Sequence, residues 1–202
     1  MNQASDSGAV TDIVHRPARK ADCADIAALY RIASDGLAAY IWSRRAEPGE
    51  DLLDVGRQRY EREDTAFSYR NCVVATKGTD VVGMLVAFPM KVDPAEVETD
   101  PVLKPYSILE EDASYYICGV AVVPPYRGQG IGSRFMAMAE QDALEKGLKK
   151  TSLIVFEEND GAKRLYDRLG YRVAAREPVV PHALLHIHGG DALLMVKDLQ
   201  PG

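Results

Sequence analysis

The sequence predicts a mixed α/β domain in which one sheet carries helices on both faces. Strand patterns dominate the first half of the chain, whereas strands and helices alternate in the second half. The chain has 202 residues with 47% hydrophobic content, which suits one well-buried core and is too short for two. We therefore expect residues 13–202 to form one domain. Residues 1–12 are polar and small, and are predicted to be a disordered leader.

Charge, cysteine content and hydropathy exclude several classes of protein. The 30 acidic and 24 basic residues leave a net charge of −6, which argues against a nucleic-acid-binding surface. The three cysteines lack any C-x-x-C pairing and fit reduced intracellular thiols. Every apolar run is shorter than the ~20 residues that a membrane span needs. We expect a cytoplasmic protein with neither nucleic acid nor membrane as a partner.

The first half of the chain begins with a short strand and two helical patterns. The strand ends around His15–Ala18, and Asp22 can then cap a helix whose apolar residues recur at helical spacing until Gly36. A second helical stretch covers roughly residues 50–67.

A β-hairpin and a long acidic segment follow. Residues 71–76 and 81–88 are rich in β-branched side chains and flank a Lys-Gly-Thr-Asp turn, and Pro89 ends the second strand. Residues 91–112 hold three prolines and seven acidic residues, which predicts a long loop with at most a short helix near Pro101.

The second half alternates strands and helices between proline and glycine breaks. Strands are predicted at residues 115–123, 151–156, 171–175 and 191–199, and helices at residues 133–146 and from Asn159 or Asp160 to Leu169.

The richest motif joins the strand at 115–123 to the helix that follows it. It reads Arg127-Gly-Gln-Gly-Ile-Gly-Ser133, with three glycines at alternating positions. Glycines let successive backbone N–H groups converge, and a helix N-terminus adds unpaired donors and about half a positive charge. Such a loop is suited to a pyrophosphate.

Three classes of nucleotide-binding loop contain glycines in a similar pattern. A P-loop needs Gly-Lys-Ser/Thr, and no lysine is present. A Rossmann fingerprint needs glycine where Ser133 stands, and a doubly wound sheet does not fit into the roughly 70 residues that remain. The third class fits, because the loop resembles the Q/R-x-x-G-x-G/A signature of the GNAT superfamily of N-acetyltransferases.

The downstream sequence is similar to the same family. Asn159 opens a helical stretch that ends Leu-Tyr166-Asp-Arg-Leu-Gly170-Tyr171, which resembles the second family motif, and residues 190–195 resemble its closing strand. The resemblance implies a mostly antiparallel GNAT-like sheet and acetyl-CoA as co-substrate. It also implies transfer of an acetyl group to a small-molecule or peptide amine, with a homodimer left open. The alternative is a catalytically silent acyl-CoA-binding regulatory module.

The resemblance also implies which residues hold the cofactor. Backbone groups of Val120 and Val122 should bond the pantetheine arm, Asn159 should contact the same arm, and the loop should hold the pyrophosphate. The loop residues are Arg127, Gly128, Gln129, Gly130, Ile131, Gly132 and Ser133.

Tyr166 is the predicted general acid. Attack of an amine on a thioester expels a thiolate, and a phenol of pKa about 10 can protonate it with a small uphill step. This tyrosine is the usual acid in the family, while core packing is the alternative role.

The general base is predicted less directly. Deprotonating an alkyl amine at pH 7 costs about 4.6 kcal/mol, so an acceptor for its proton is expected. N-terminal acetyltransferases of the family commonly carry a glutamate where this chain has Ile154. We therefore assign the base to Glu111, with Asp112 and Glu110 as alternatives.

The sequence also suggests the charge of the acceptor and the residues that line its pocket. The seven carboxylates of residues 91–112 favour a cationic acceptor if this segment borders the pocket. Tyr115, Tyr116 and the histidines at 182, 186 and 188 are candidates to line the pocket. Two alternating histidines without a third ligand nearby do not make a metal site, and none is predicted.

Overall fold

A seven-stranded sheet forms the centre of the computed structural model, which describes residues 12–187 and 189–200. The strand order is β1-β2-β3-β4-β5-β7-β6, and every neighbouring pair is antiparallel except β4 and β5. The strands are β1 Val14–Pro17, β2 Cys72–Lys77, β3 Asp80–Pro89, β4 Tyr115–Val122, β5 Lys150–Phe156, β6 Arg172–Pro178 and β7 Asp191–Asp198. The mostly antiparallel mixed sheet predicted from the sequence is confirmed.

Six α-helices in the described part of the chain cover the two faces of this sheet. They are α1 Cys23–Ala33, α2 Leu37–Ser43, α3 Leu52–Glu61, α4 Lys104–Ile108, α5 Ile131–Glu145 and α6 Asp160–Arg168. Helices α1 to α3 pack on one face, and α5 and α6 on the other.

The two layers follow from the alternation of side chains along the central strands. On β3, Met84 and Val86 point towards Tyr30 of α1, whereas Leu85 packs with Phe135 of α5. Because β3 is apolar on both faces, it is buried between the helical layers. Its hydrogen bonds to β4 hold that neighbouring strand in position.

Strands β4 and β5 are paired over only part of their lengths. Their parallel register runs from Tyr115 opposite Thr151 to Ile117 opposite Leu153 and then stops. The register between β3 and β4 shifts at the same level and leaves Cys118 as the bulged residue. Since a bulge bends its strand, β4 turns away from β5 beyond this point. The two strands therefore present unpaired edges to each other.

Several elements differ from the sequence predictions. The helix expected over residues 50–67 ends at Glu61, because Arg62 is already extended. Helix α2 was not predicted, since Gly36 ends one helical pattern and at φ 93° also begins the next helix. Asp22 stands at the N-cap of α1, but its carboxylate bonds Arg16 and the N–H of Arg19 instead of the helix. Most of the predicted leader, residues 1–11, lies outside the described residues.

Candidate functional site

A cleft of about 790 Å³ lies where β4 and β5 separate. One wall is the free edge of β4, and the opposite wall is the end of β5 with helix α6. The glycine loop closes one end, while the C-terminal end of α1 borders the cleft on another side. The site is therefore created by the incomplete pairing of two parallel strands.

The backbone of Val120 and Val122 faces this cleft. The N–H of Val123 donates to the carbonyl of Val82 on β3 at 2.9 Å. Because backbone direction alternates along a strand, Val120 and Val122 direct their N–H and C=O groups away from β3. Apart from the carbonyl of Val122, these are free polar groups on a strand edge, and an extended amide-containing chain can pair with them.

The glycine loop presents a set of unused backbone donors. No N–H group of residues 128–133 donates a hydrogen bond to any described residue. Gly128 and Gly130 have φ of 76° and 81°, and no atom lies within 4 Å of a Cβ built at either position. Positive φ at alternating glycines turns successive N–H groups to one side, at the N-terminus of α5. The geometry fits the predicted anion site.

The side chains of Arg127 and Gln129 bond to backbone carbonyl groups of the protein itself. Arg127 folds back so that its Nε donates to the carbonyl of Val122 at 2.9 Å. The carbonyl of Val122 is one of the groups that pantetheine was expected to use, and this bond occupies it. Val122 therefore offers only its N–H to a ligand. Gln129 Nε2 donates to the carbonyl of Pro125 at 3.2 Å, and the Gln129 side chain does not line the cleft.

Asn159 lines the cleft and also caps α6. Its Oδ1 accepts from the N–H of Ala162 at 3.1 Å, as expected of an N-cap residue. The amide nitrogen of the same side chain donates to no other described residue. Asn159 can therefore cap the helix and still donate into the cleft.

Tyr166 lies on α6 with its side chain in the wall of the cleft. It is 9% exposed, and its hydroxyl makes no hydrogen bond with another described residue. Burial raises the pKa of Tyr166 to about 12, because the phenolate would lose its hydration. At neutral pH this phenol is a protonated donor without a partner in the described part of the chain.

The structure separates Glu111 from Tyr166. Glu111 forms an ion pair with Lys150, the first residue of β5, at the end where β4 and β5 are still paired. The cleft is at the opposite end of these strands, and none of Glu110, Glu111 or Asp112 lines it. Glu111 therefore has no contact with the cleft through which to act as a base.

Several other acidic residues of the 91–112 segment are engaged in structural contacts away from the cleft. Asp100 is buried, pairs with Arg44 at 2.6 Å and accepts from the Tyr40 hydroxyl at 2.8 Å. Asp93 and Glu98 accept local backbone N–H groups. None of the seven carboxylates lines the cleft. The acidic segment therefore gives no support to the prediction of a cationic acceptor.

The remaining pocket candidates are mostly structural. Tyr115 and Tyr116 pack in the core layers and do not line the cleft. His182 packs edge-on against Tyr40 with ring centroids 4.6 Å apart. His186 contributes its backbone N–H to a loop contact, whereas residue 188 lies outside the described residues. Among the described residues, no group of three His, Cys, Asp or Glu side chains is placed to hold a metal.

Asp35 is a cleft residue that the sequence analysis missed. It follows α1 with φ 47°, and its carbonyl accepts the N–H of His186 at 2.9 Å. The adjacent Gly36 packs so closely that a Cβ there would lie 2.1 Å from the carbonyl oxygen of Leu184. Burial raises the pKa of the Asp35 carboxyl above its usual value. Asp followed by Gly is a common turn signal, but only the packing of this turn against residues 184–186 places the carboxylate in the cleft.

Comparison with known proteins agrees with this geometry. The family model described as "Acetyltransferase (GNAT) family" matches residues 37–171, which is more than half of the chain. The chain is similar to the N-alpha-acetyltransferase MAK3 of Arabidopsis thaliana, with 39% identity over 61 residues, 30% of this chain and 32% of the relative. It is also similar to the thialysine N-epsilon-acetyltransferase of Sus scrofa, with 42% identity over 57 residues, 28% of this chain and 34% of the relative. These matches span about a third of the length of each relative.

A solved structure supports the fold over nearly the whole chain. It is that of yncA from Salmonella typhimurium with its cofactor acetyl-CoA, which aligns at a TM-score of 0.61 and 21% identity. The alignment covers 94% of this chain and 95% of that one. No helix in the described ranges is both long and apolar enough to cross a bilayer. The divided sheet and the glycine loop agree with the family match over residues 37–171. The chain belongs to the GNAT family of acetyltransferases.

Proposed function

We propose that this protein transfers an acetyl group from acetyl-CoA to a primary amine by direct attack of the amine on the thioester. One observation carries the proposal. The unused N–H groups of residues 128–133 and the unpartnered hydroxyl of Tyr166 lie around one cleft between β4 and β5. An anion cradle and a proton donor at one site are what acyl transfer from a phosphorylated carrier requires.

The residues of the cleft suit the parts of acetyl-CoA in turn. The loop would hold the pyrophosphate, and the free edge of β4 at Val120 and Val122 would pair with the amide groups of pantetheine. Asn159 would add a donor from the opposite wall. The co-substrate supplies an activated acetyl group, while the protein fixes its orientation beside Tyr166.

Tyr166 would protonate the departing thiolate. Its pKa of about 12 exceeds that of an ordinary thiol, near 8.5, by roughly 3.5 units. The cleft reduces this gap, since burial also raises the pKa of Cys118, which lines the same cleft, to about 11. A thiolate released in the cleft would lose hydration in the same way, which raises the pKa of its conjugate thiol and makes the proton transfer less uphill.

Asp35 would receive the acceptor amine. Among the described residues, Asp35 is the carboxylate that lines the cleft, on the side formed by the end of α1. The same burial that raises its pKa makes it a stronger base than an exposed aspartate. A carboxylate here can bind an ammonium group and accept its proton as the amine attacks, directly or through water.

The proposal is tested by measuring binding and turnover separately. We expect acetyl-CoA at millimolar concentration to raise the melting temperature, while NAD and ATP do not. Release of free thiol from acetyl-CoA should then depend on the amine added from a panel of polyamines, amino acids, lysine peptides and aryl amines. Binding without turnover of any amine would instead indicate a regulatory acyl-CoA-binding module.

Replacing Asp35 by Asn is expected to lower kcat/KM for the amine by roughly 10²-fold, the lower range for loss of a positioned base. Asn tolerates positive φ as well as Asp does, so the turn should be preserved. In the wild type, kcat/KM should fall as pH drops through the raised pKa of Asp35, because protonation removes the acceptor. This acidic limb should be absent from the variant.

The matched control is Glu111→Gln, which removes the carboxylate first predicted as the base. Its ion pair with Lys150 is partly solvent-exposed, so its loss should cost at most about 1 kcal/mol of stability. We expect kcat/KM to stay within about threefold of wild type. A large loss in Glu111→Gln together with a normal Asp35→Asn enzyme would reverse the assignment.

A further inference from the structure

The cleft between β4 and β5 is lined by side chains from both faces of the sheet. Neighbouring residues of β5 point to opposite faces, and Val155 packs in the layer of α5 and α6. Ile154 and Phe156 pack on the other face, in an apolar cluster that includes Leu185. All three β5 residues line the cleft. The cleft therefore connects the two faces of the sheet at the point where the strands separate.

The groups proposed to hold acetyl-CoA lie on the face that carries α5 and α6. The glycine loop begins α5, Asn159 caps α6 and Tyr166 lies on α6. The arginines that line the cleft are on the same side, since Arg127 belongs to the loop and Arg168 ends α6. Because the co-substrate would fill this side, the acceptor is left the opposite side, where α1 ends.

The acceptor side of the cleft is largely apolar and carries one carboxylate. Ile32 and Ala33 line it from the last turn of α1, and Ile154 and Phe156 line it from the end of β5. Asp35, just after α1, is the charged residue among the described lining residues on this side. A pocket of this composition suits an apolar body with one polar group that fixes its orientation.

Ile32 shows that this side of the cleft opens to solvent. Its relative exposure is 52%, although it lines the cleft. Ile26 and Leu29 of the same helix are buried against the sheet, whereas Ile32 is not part of the apolar clusters formed by the described residues. Ile32 therefore has no role in that packing, and a substrate can reach it.

Asp35 provides a single negative charge for an acceptor. No second carboxylate among the described residues lines the cleft. The neighbouring group whose charge acts on Asp35 is His186, which is a base. One ammonium group can be neutralised at Asp35, whereas a second one would leave water without an acid to pair with. Burying a charge without a partner is costly, so this pocket disfavours a polycation.

We propose that the acceptor is a primary monoamine on an apolar body, such as an alkylamine or a phenylalkylamine, with its ammonium group at Asp35. Its body would lie against Ile32, Ile154 and Phe156, so that apolar surface on both sides is removed from water. The single carboxylate would then direct the amine towards the thioester. This inference rests on the proposed acetyltransferase function and adds a substrate class to it.

The test compares acceptors of equal length that differ in charge. Butylamine is paired with 1,4-diaminobutane, which carries a second ammonium group at the far end of the same chain. We expect wild-type kcat/KM to favour butylamine by at least about 10-fold, because the second charge would be desolvated in an apolar pocket. From propylamine to pentylamine, kcat/KM should rise roughly threefold for each methylene group that is buried.

Replacing Ile32 by Glu adds a second carboxylate at the exposed edge of the pocket. The ratio of butylamine to 1,4-diaminobutane kcat/KM should fall by at least about 10-fold, since the diamine gains a partner and the apolar body loses a contact. The matched control is Ile108→Glu, because Ile108 is 54% exposed at the end of α4 and does not line the cleft. Its ratio should stay within about threefold of wild type.

The melting temperatures show whether both variants fold. Both positions are exposed, so each substitution should change the melting temperature little. Equal kcat/KM for butylamine and 1,4-diaminobutane in the wild type would overturn the proposal. The same change of the ratio in both variants would also overturn it, because the effect would then come from net charge alone.

A binding measurement separates this proposal from the acetyltransferase function. The Cδ1 methyl resonance of Ile32 is assigned by its absence in Ile32→Val and is followed during titration with each amine. Titrations are made with and without coenzyme A, which has no acetyl group to transfer. A saturable shift that is larger with butylamine than with 1,4-diaminobutane supports the site even if no amine is acetylated. A shift that is absent with butylamine, or larger with the diamine, rejects it whatever the turnover measurements give.

Discussion

Replacing Tyr166 by Phe is expected to lower kcat by roughly 10²-fold to 10⁴-fold, the usual contribution of a positioned general acid. The phenyl ring keeps the packing of α6 against the core but removes the proton that the thiolate would receive. Because no described residue bonds the hydroxyl, its loss should leave stability and acetyl-CoA affinity nearly unchanged. Steady-state kinetics, melting temperature and acetyl-CoA affinity are measured on the same preparation.

The pH dependence provides a second readout for Tyr166. With a pKa of about 12, the phenol stays protonated through the whole usual assay range. Wild-type kcat should therefore show no alkaline limb from this residue below about pH 11. A fall in wild-type kcat below about pH 11 that is absent in Tyr166→Phe would contradict the burial of Tyr166.

Tyr115→Phe is the matched control for this experiment. Tyr115 is also a buried tyrosine, 5% exposed, but it lies where β4 and β5 are paired and does not line the cleft. Its kcat should remain within about threefold of wild type. If both variants are slowed equally, the loss reflects core packing. Near-normal turnover of Tyr166→Phe would mean that water or another group protonates the thiolate.

Replacing Gly130 by Leu is expected to reduce acetyl-CoA affinity by at least about 100-fold. A side chain at this position would enter the open space onto which the unused N–H groups of the loop face. Each hydrogen bond to a charged group is worth about 1.5–3 kcal/mol, so displacing the phosphates from two donors accounts for this loss. Titration of acetyl-CoA by calorimetry measures the effect directly.

Gly78→Leu controls for backbone strain. Gly78 has φ 60° in the turn between β2 and β3, again with no atom near a built Cβ. Both variants place leucine at positive φ, which costs roughly 1–2 kcal/mol of stability. Only Gly130→Leu should lose acetyl-CoA binding. Retention of affinity in Gly130→Leu would place the pyrophosphate elsewhere.

The parts of the site that were predicted from the sequence are all local motifs. The glycine loop, Asn159 as a helix cap and Tyr166 on the following helix each depend on residues within a few positions of one another. Local backbone preferences determine such features. For this reason the strand, loop and helix that form the candidate anion site could be predicted together from residues 115–133.

The predictions that the structure did not support depended on sequence distance as a measure of spatial distance. Glu111 is close in sequence to β4, but the strand runs away from it towards the cleft. Asp35 is 131 positions before Tyr166 and still lines the same cleft. Helix α2 was missed because a glycine that ends one helix usually marks a turn.

By itself the sequence indicated most of the strands and helices and the glycine loop, because hydrophobic periodicity and turn chemistry act over short stretches. The resemblance of residues 159–171 to a family motif singled out Tyr166 as the candidate acid. Only the tertiary structure decided where β4 and β5 part and which carboxylate enters the cleft. These features arise from contacts between segments far apart in the chain, such as Gly36 against Leu184 and Tyr30 against Cys118. Burial then raises the pKa of Asp35 and of Tyr166, since the cost of desolvation depends on the whole packed environment.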